Sequence, residues 1–140
     1  MDARTLTPRY SVTPQISVED VPAIAAAGFT TVICNRPDAE VPPSHQADTI
    51  RAAVESAGLT FHVLPLTHQT MTPENVAQQR AYFENADGPV LAYCASGTRC
   101  SVIWALGQAS DVSVDEIMST TQKAGYDLSG LRPTLEALQG

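Results

Sequence analysis

Val90-Leu91-Ala92-Tyr93-Cys94-Ala95-Ser96-Gly97-Thr98-Arg99 is the stretch from which the fold can be read. Gly88-Pro89 ends whatever precedes it, and a short unbroken apolar run follows, as in a strand buried on both faces. Four small residues then separate Cys94 from Arg99. Beyond them Val102, Ile103, Leu106 and Ala109 recur at helical spacing, which predicts a helix over Arg99 to Ala109. The segment therefore reads as strand, tight turn, helix N-terminus. A strand buried on both faces needs further strands beside it and helices above and below.

The residues upstream supply them. Tyr10-Ser11-Val12, between Pro8 and Pro14, reads as an edge strand. Ser17, with Asp20 three places on, caps a helix over about 18 to 27 that stops at Gly28. Phe29 to Cys34 is a β-branched strand opening into the loop Asn35-Arg36-Pro37-Asp38, which continues to Pro43. A helix is expected from His45 to Ala57, a strand from Thr60 to Leu64, and a helix opened by Thr72-Pro73 and running to about Asn85. Downstream, Ser113 with Glu116 forms a capping box for a helix stopping near Gly125, and Leu131 to Leu138 forms a last short helix.

Alternating strands and helices predict an α/β fold: one layered domain over 1–140, with a mostly parallel central sheet flanked by helices, its core at about 10–110 and C-terminal helices at 113–138. Ligands of such sheets sit beyond the carboxyl ends of the strands. Cys94 and the Asn35-Arg36-Pro37-Asp38 loop are both expected there.

Composition narrows the function. Fifteen acidic against eight basic residues give a net charge of -7, the wrong sign for nucleic acid or anionic lipid. No long apolar run or signal peptide is evident, so a soluble, cytoplasmic monomer is expected. Its partner would be a small anionic or persulfide substrate, or a protein thiol or phosphoprotein. Three cysteines, Cys34, Cys94 and Cys100, do not make a disulfide framework. His45, His62 and His68 lie on separate elements without metal-ligand spacing, so neither a metal nor a cofactor is expected.

The Cys94 turn carries chemistry. A nucleophilic thiol needs its pKa lowered, and about three units takes roughly 4 kcal/mol. A helix N-terminus gives up to about 2 kcal/mol, so Arg99 is expected to contribute the rest. Ala95, Ser96, Gly97 and Thr98 let backbone N–H groups turn inward as an anion nest, and the Arg99 fork can grip two oxygens. Cys100 is a poor hydrogen-bond donor at its position. Cys100 or Cys34 could resolve an oxidised or persulfidated Cys94, although small buried hydrophobes are the simpler reading of both. Arg36 either adds positive charge to the pocket or pairs with Asp38. Trp104 and Tyr93 read as core. The pocket walls are expected from Tyr10 to Gln15, Asp38 to Ser44 and Leu66 to Thr72.

Tyr93-Cys-Ala-Ser-Gly-Thr-Arg99 resembles the active loop of single-domain rhodaneses and, one residue shorter, the Cys-x5-Arg loop of tyrosine and dual-specificity phosphatases. Val12 to Ser17, Ala27 to Asp38 and Val90 to Leu106 together resemble the beta-lactamase-hydrolase-like, phosphatase-like family. The resemblance implies a tyrosine-phosphatase-like fold, in a family described both as phosphatases and as sulfur transferases. In dual-specificity phosphatases a general-acid aspartate lies in the loop matching Leu64 to Thr70, which here holds no Asp or Glu and offers only His68. A four-residue spacer also suits a sulfane sulfur better than a phosphoryl group. Sulfane sulfur transfer through Cys94 is therefore favoured. Phosphate-monoester hydrolysis with Cys94, Arg99 and His68 is the alternative, and a non-enzymatic redox or reactive-sulfur sensor is the third reading.

Overall fold

Apolar runs of four residues with β-branched side chains are stable only where both faces are covered, and that requirement orders the sheet. The computed structural model describes residues 1–139. Its strands are β1 (Arg4–Thr7), β2 (Tyr10–Thr13), β3 (Thr31–Cys34), β4 (Thr60–Val63) and β5 (Val90–Tyr93). Its helices are α1 (Val21–Ala26), α2 (Ala47–Ser56), α3 (Pro73–Glu84), α4 (Thr98–Gln108), α5 (Val114–Lys123) and α6 (Arg132–Leu138). The sheet order is β1-β2-β5-β3-β4, with β5 at the centre. β2, β5, β3 and β4 run parallel, with Thr13 and Cys34 each opposite Tyr93 and Val63 opposite Cys34.

Strand residues alternate between two cores. Tyr10, Val12, Ile33, Val90 and Ala92 face one, which Phe83, Trp104, Ile117 and Leu135 complete from α3 to α6. Val32, Cys34, Phe61, Leu91 and Tyr93 face the other, under Ile24 of α1 and Ile50 and Val54 of α2. Each fully buried Val, Leu, Ile or Phe among them contributes about 1.5–3 kcal/mol of burial. The predicted caps form: Ser17 N–H donates to Asp20 at 2.9 Å, while Thr72 and Ser113 accept from Asn75 and Glu116 N–H, both at 3.2 Å. Element ends differ from expectation by one or two residues, except that the first predicted helix opens as a 3-10 turn over Val18–Asp20, which Ser17 caps, and becomes α-helical only from Val21.

One expectation is corrected. Tyr10–Thr13 is not an edge strand; it is buried and pairs with β5, while the edge is β1, antiparallel to it. Pro8 sits with Arg9 in the turn of this hairpin, a position its fixed φ favours. Pairing irregular between Thr5 and Thr7 disturbs the alternation by which β1 could have been recognised.

A buried polar cluster ties the strand ends together. The Asn35 and Gln79 amides exchange reciprocal hydrogen bonds at 2.9 Å, and Asn35 also donates to Leu64 O at 2.9 Å. Gln79 donates to Tyr10 Oη at 3.1 Å, and that hydroxyl donates to Cys100 O at 2.9 Å. β2, β3, α3 and α4 are thereby held in one register. Gln79→Leu leaves Asn35 Oδ1 and one Asn35 Nδ2–H buried without a partner, while the bond to Leu64 O remains, and should lower stability by about 2–3 kcal/mol. In urea unfolding it should appear as a lower midpoint at unchanged slope.

Candidate active site

The carboxyl ends of the parallel strands open on one edge of the sheet, and every site segment leaves from there: Gln15 after β2, Arg36 after β3, Leu66 to Gln69 after β4, and the Cys94 turn after β5. α2 and α4, which follow β3 and β5, pack on opposite faces of the sheet. The gap between them is the crevice in which open α/β sheets hold ligands.

The turn is tied down from three sides. Gln15 N–H donates to Ala95 O at 3.3 Å, Tyr126 Oη to Ser96 O at 2.9 Å, and Ser101 Oγ to Gly97 O at 2.9 Å. Gly97 caps α4 with φ +94°, a conformation L side chains rarely adopt, and a Cβ there would run into the Tyr126 hydroxyl. Sequence reasoning did not find Tyr126. It is 30 residues downstream of Ser96, on the segment after α5, and no local pattern marks it.

Gly97 N–H donates to Cys94 Sγ at 3.1 Å. The Cys94 pKa is lowered to about 5: the Cys100 thiol contributes most, and the N–H groups of Cys100, Gly97 and Ser96 add to it against burial, which raises it. Two expectations change here. Cys100, expected to be a poor donor, lowers the Cys94 pKa more than any other group, and the two thiols lie in the same buried core. Arg99 is not the main stabiliser, because its guanidinium is engaged elsewhere. Burial holds the Cys100 thiol well above its ordinary value, so it stays protonated and able to donate.

Arg99 donates from Nη1 to Glu40 Oε2 at 2.9 Å and to Leu66 O at 2.8 Å, and from Nη2 to Glu40 Oε1 at 2.8 Å. The fork expected to grip an anion thus holds a carboxylate. Arg99 lowers the Glu40 pKa, so this carboxyl is ionised across the neutral range. Arg36 pairs with Glu40 at 3.2 Å and donates to Gln15 Oε1 at 3.2 Å. Of the two roles read for Arg36, the pair with Asp38 does not form: Asp38 accepts from Ala47 N–H at 2.8 Å at the start of α2. Glu40 was missed because nothing in its neighbourhood signals an arginine 59 residues away.

A cleft of about 350 Å³ is lined by Glu40, Thr67, His68, Gln69, Ala95, Ser96, Thr98 and Arg99. His68 therefore does share a cleft with the Cys94 turn. Of the expected walls, the second and third supply lining residues. Cys34 is at the end of the strand beside β5, but it faces the opposite core from Cys94 and Cys100 and donates to Arg36 O at 3.4 Å. Of the two candidate resolving thiols, only Cys100 stands on the Cys94 side. Among the described residues no group of three or more His, Cys, Asp or Glu is placed to hold a metal.

Iodoacetamide labelling of Cys94 should follow a titration with its midpoint at about 5, and Cys100→Ala should raise that midpoint. A lowered folded-state pKa stabilises the protein above the ordinary thiol value, and the gain is lost as the pH falls through the folded one. The stability difference between wild type and Cys94→Ala should accordingly grow as pH rises from about 5 to about 9. A midpoint near the ordinary thiol value would contradict this account of the turn.

Residues 2–111 match the family model of the beta-lactamase hydrolase-like protein, phosphatase-like domain. The beta-lactamase hydrolase-like protein of Agrobacterium fabrum is 29% identical over 138 residues, covering 97% of this chain and 32% of its own length. The chain thus spans about a third of that relative. A candidate phosphatase from Neisseria meningitidis is similar in structure, with a TM-score of 0.88 and 36% identity over 99% of each chain. PTPMT1, 14% identical with a TM-score of 0.73 over 97% of this chain and 95% of its own, shares the fold. The match to the family model covers most of the chain, and the chain belongs to the beta-lactamase hydrolase-like protein, phosphatase-like domain family.

Proposed function

We propose that this phosphatase-like domain is a cysteine-dependent sulfurtransferase that carries sulfane sulfur as a Cys94 persulfide. The observation that carries the reading is the pairing of a low-pKa nucleophile with a carboxylate that has no proton to give: the Cys94 pKa is lowered to about 5, and Glu40, ionised on Arg99, lines the cleft beside the Cys94 turn. Phosphate-ester hydrolysis needs a proton for the leaving oxygen, whereas sulfur transfer does not.

In the forward step the Cys94 thiolate attacks the outer sulfur of a donor such as thiosulfate. The new bond joins Cys94 Sγ to that sulfur, the donor S–S bond breaks, and sulfite leaves with the electron pair. The persulfide anion carries the charge the thiolate held. The acceptor thiol passes its own proton to the persulfide and, as a thiolate, attacks the terminal sulfur; the bond from Cys94 Sγ to that sulfur breaks, which restores the Cys94 thiolate and yields the acceptor persulfide. Loop N–H groups and the remaining Arg99 donors stabilise the terminal sulfur. Acceptors are small thiols or a protein thiol. The chemistry requires free thiols and so fits the reducing cytoplasm; among the described residues no helix is long and apolar enough to cross a membrane.

Phosphate-monoester hydrolysis through a Cys94 phosphocysteine is the second reading, favoured by His68 in the cleft and by the description of the Neisseria relative. A paired assay separates the two: thiosulfate with cyanide, and an aryl phosphate, each with wild type, Cys94→Ser and His68→Gln. Thiocyanate formation should be abolished by Cys94→Ser and fall less than about threefold in His68→Gln. Phosphate release that depends on Cys94 and falls about a hundredfold in His68→Gln, without thiocyanate formation, would establish hydrolysis instead. Stoichiometric Cys94 modification with neither turnover would point to a sensor.

A further inference from the structure

The sulfurtransferase reading leaves open which sulfur donor the site accepts, and Glu40 bears on that. An arginine has five N–H donors. In Arg99 both Nη1 donors and one Nη2 donor are taken, by Glu40 at 2.9 and 2.8 Å and by Leu66 O at 2.8 Å, leaving Nε–H and one Nη2–H. Glu40 does not sit there loosely. Arg36 Nε holds its Oε1 at 3.2 Å and Arg36 Nη2 its main-chain carbonyl at 3.4 Å, while Arg36 is itself bound to Gln15, whose N–H holds Ala95 of the turn. Any anion held by the free donors of Arg99 therefore lies within a few ångströms of a fixed negative charge.

Counting charges makes the consequence specific. The Cys94 thiolate and the Glu40 carboxylate are balanced by Arg99 and Arg36. Converting the thiolate to a persulfide anion leaves that balance unchanged. A dianion in the cleft, whether a phosphate monoester or thiosulfate, adds two negative charges against one fixed carboxylate. Phosphocysteine would also carry one more negative charge than the thiolate it replaces.

We propose that Glu40 is a specificity-determining residue of the Cys94 site: its carboxylate, fixed on Arg99 and backed by Arg36, selects against dianionic oxyanions and for persulfides that present a single negative charge. This deepens, and rests on, the sulfurtransferase reading. Thiosulfate is then a serviceable laboratory donor but a poor one, and an alkyl persulfide is the class of donor the cleft accepts.

The test reads dianion affinity without relying on turnover. Inorganic phosphate at pH 8, where it is the dianion, should protect Cys94 from iodoacetamide, with thiocyanate as the singly charged control. In Glu40→Gln the phosphate protection constant should tighten by about tenfold or more, with a much smaller change for thiocyanate. Glu40→Asp, which keeps the charge, should stay close to wild type. Arg36→Gln, which exposes the Glu40 charge, should weaken phosphate protection and so tests the same idea with the opposite sign. Unchanged or weaker phosphate binding in Glu40→Gln would overturn the proposal, the weaker result meaning that Glu40 only positions Arg99. Glu40→Asp behaving like Glu40→Gln would overturn it too. Absence of sulfane transfer in wild type would sink the sulfurtransferase reading alone, because the phosphate constants are measured without it.

Discussion

A buried sulfur must be kept as an anion at the carboxyl edge of a parallel sheet, and most of the structure around residue 94 answers to that constraint. Water cannot do it, because Cys94 is 1% exposed. The start of α4 does it instead, with Gly97 N–H on the sulfur at 3.1 Å and the Cys100 thiol and further amides behind it. A helix N-terminus has free N–H groups to offer, but they converge on one atom only if the turn before the helix is tight. That tightness is why the turn is built of small residues and why its one left-handed position is a glycine packed under Tyr126.

The turn is supported from behind and from in front by different physics. Behind it, the Asn35–Gln79–Tyr10 cluster is fully buried and reaches the Cys100 carbonyl, so the first turn of α4 is braced against three other elements. Buried amides of this kind are costly when unpaired and rigid when paired. In front, Glu40 joins Arg99 and Arg36 at the rim of the cleft, partly exposed, where screening weakens each pair. The rigid half fixes the nucleophile. The charged half determines what may approach it.

The α/β order was legible because each strand is a short apolar run and each helix has a cap and an amphipathic period, signals carried by neighbours in the chain. The turn from strand to helix that holds Cys94 and Arg99 was legible for the same reason: Cys94, Gly97 and Arg99 sit within one short stretch of chain. The hairpin at the N-terminus was not, because irregular pairing at Thr5 to Thr7 breaks the alternation and Pro8 resembles a stop. The choice between the two roles of Arg36 was not legible for a related reason: Asp38 had an unseen partner. It is close to Arg36 in sequence, but the unpaired N–H at the start of α2 is a better partner for its carboxylate.

Glu40 and Tyr126 mark the limit of the linear reading. Each acts on the active turn from a distant part of the chain, and nothing in a local window says which arginine a surface glutamate will meet or which carbonyl a tyrosine will reach. Residue order alone determined a buried strand ending in a cysteine, a turn of small residues and a helix that begins there, because those are local consequences of periodicity and backbone freedom. The tertiary structure decided which groups hold the thiolate and that the arginine fork is occupied by a carboxylate. Those follow from how the loops of four parallel strands converge on one edge, a matter of packing rather than spacing.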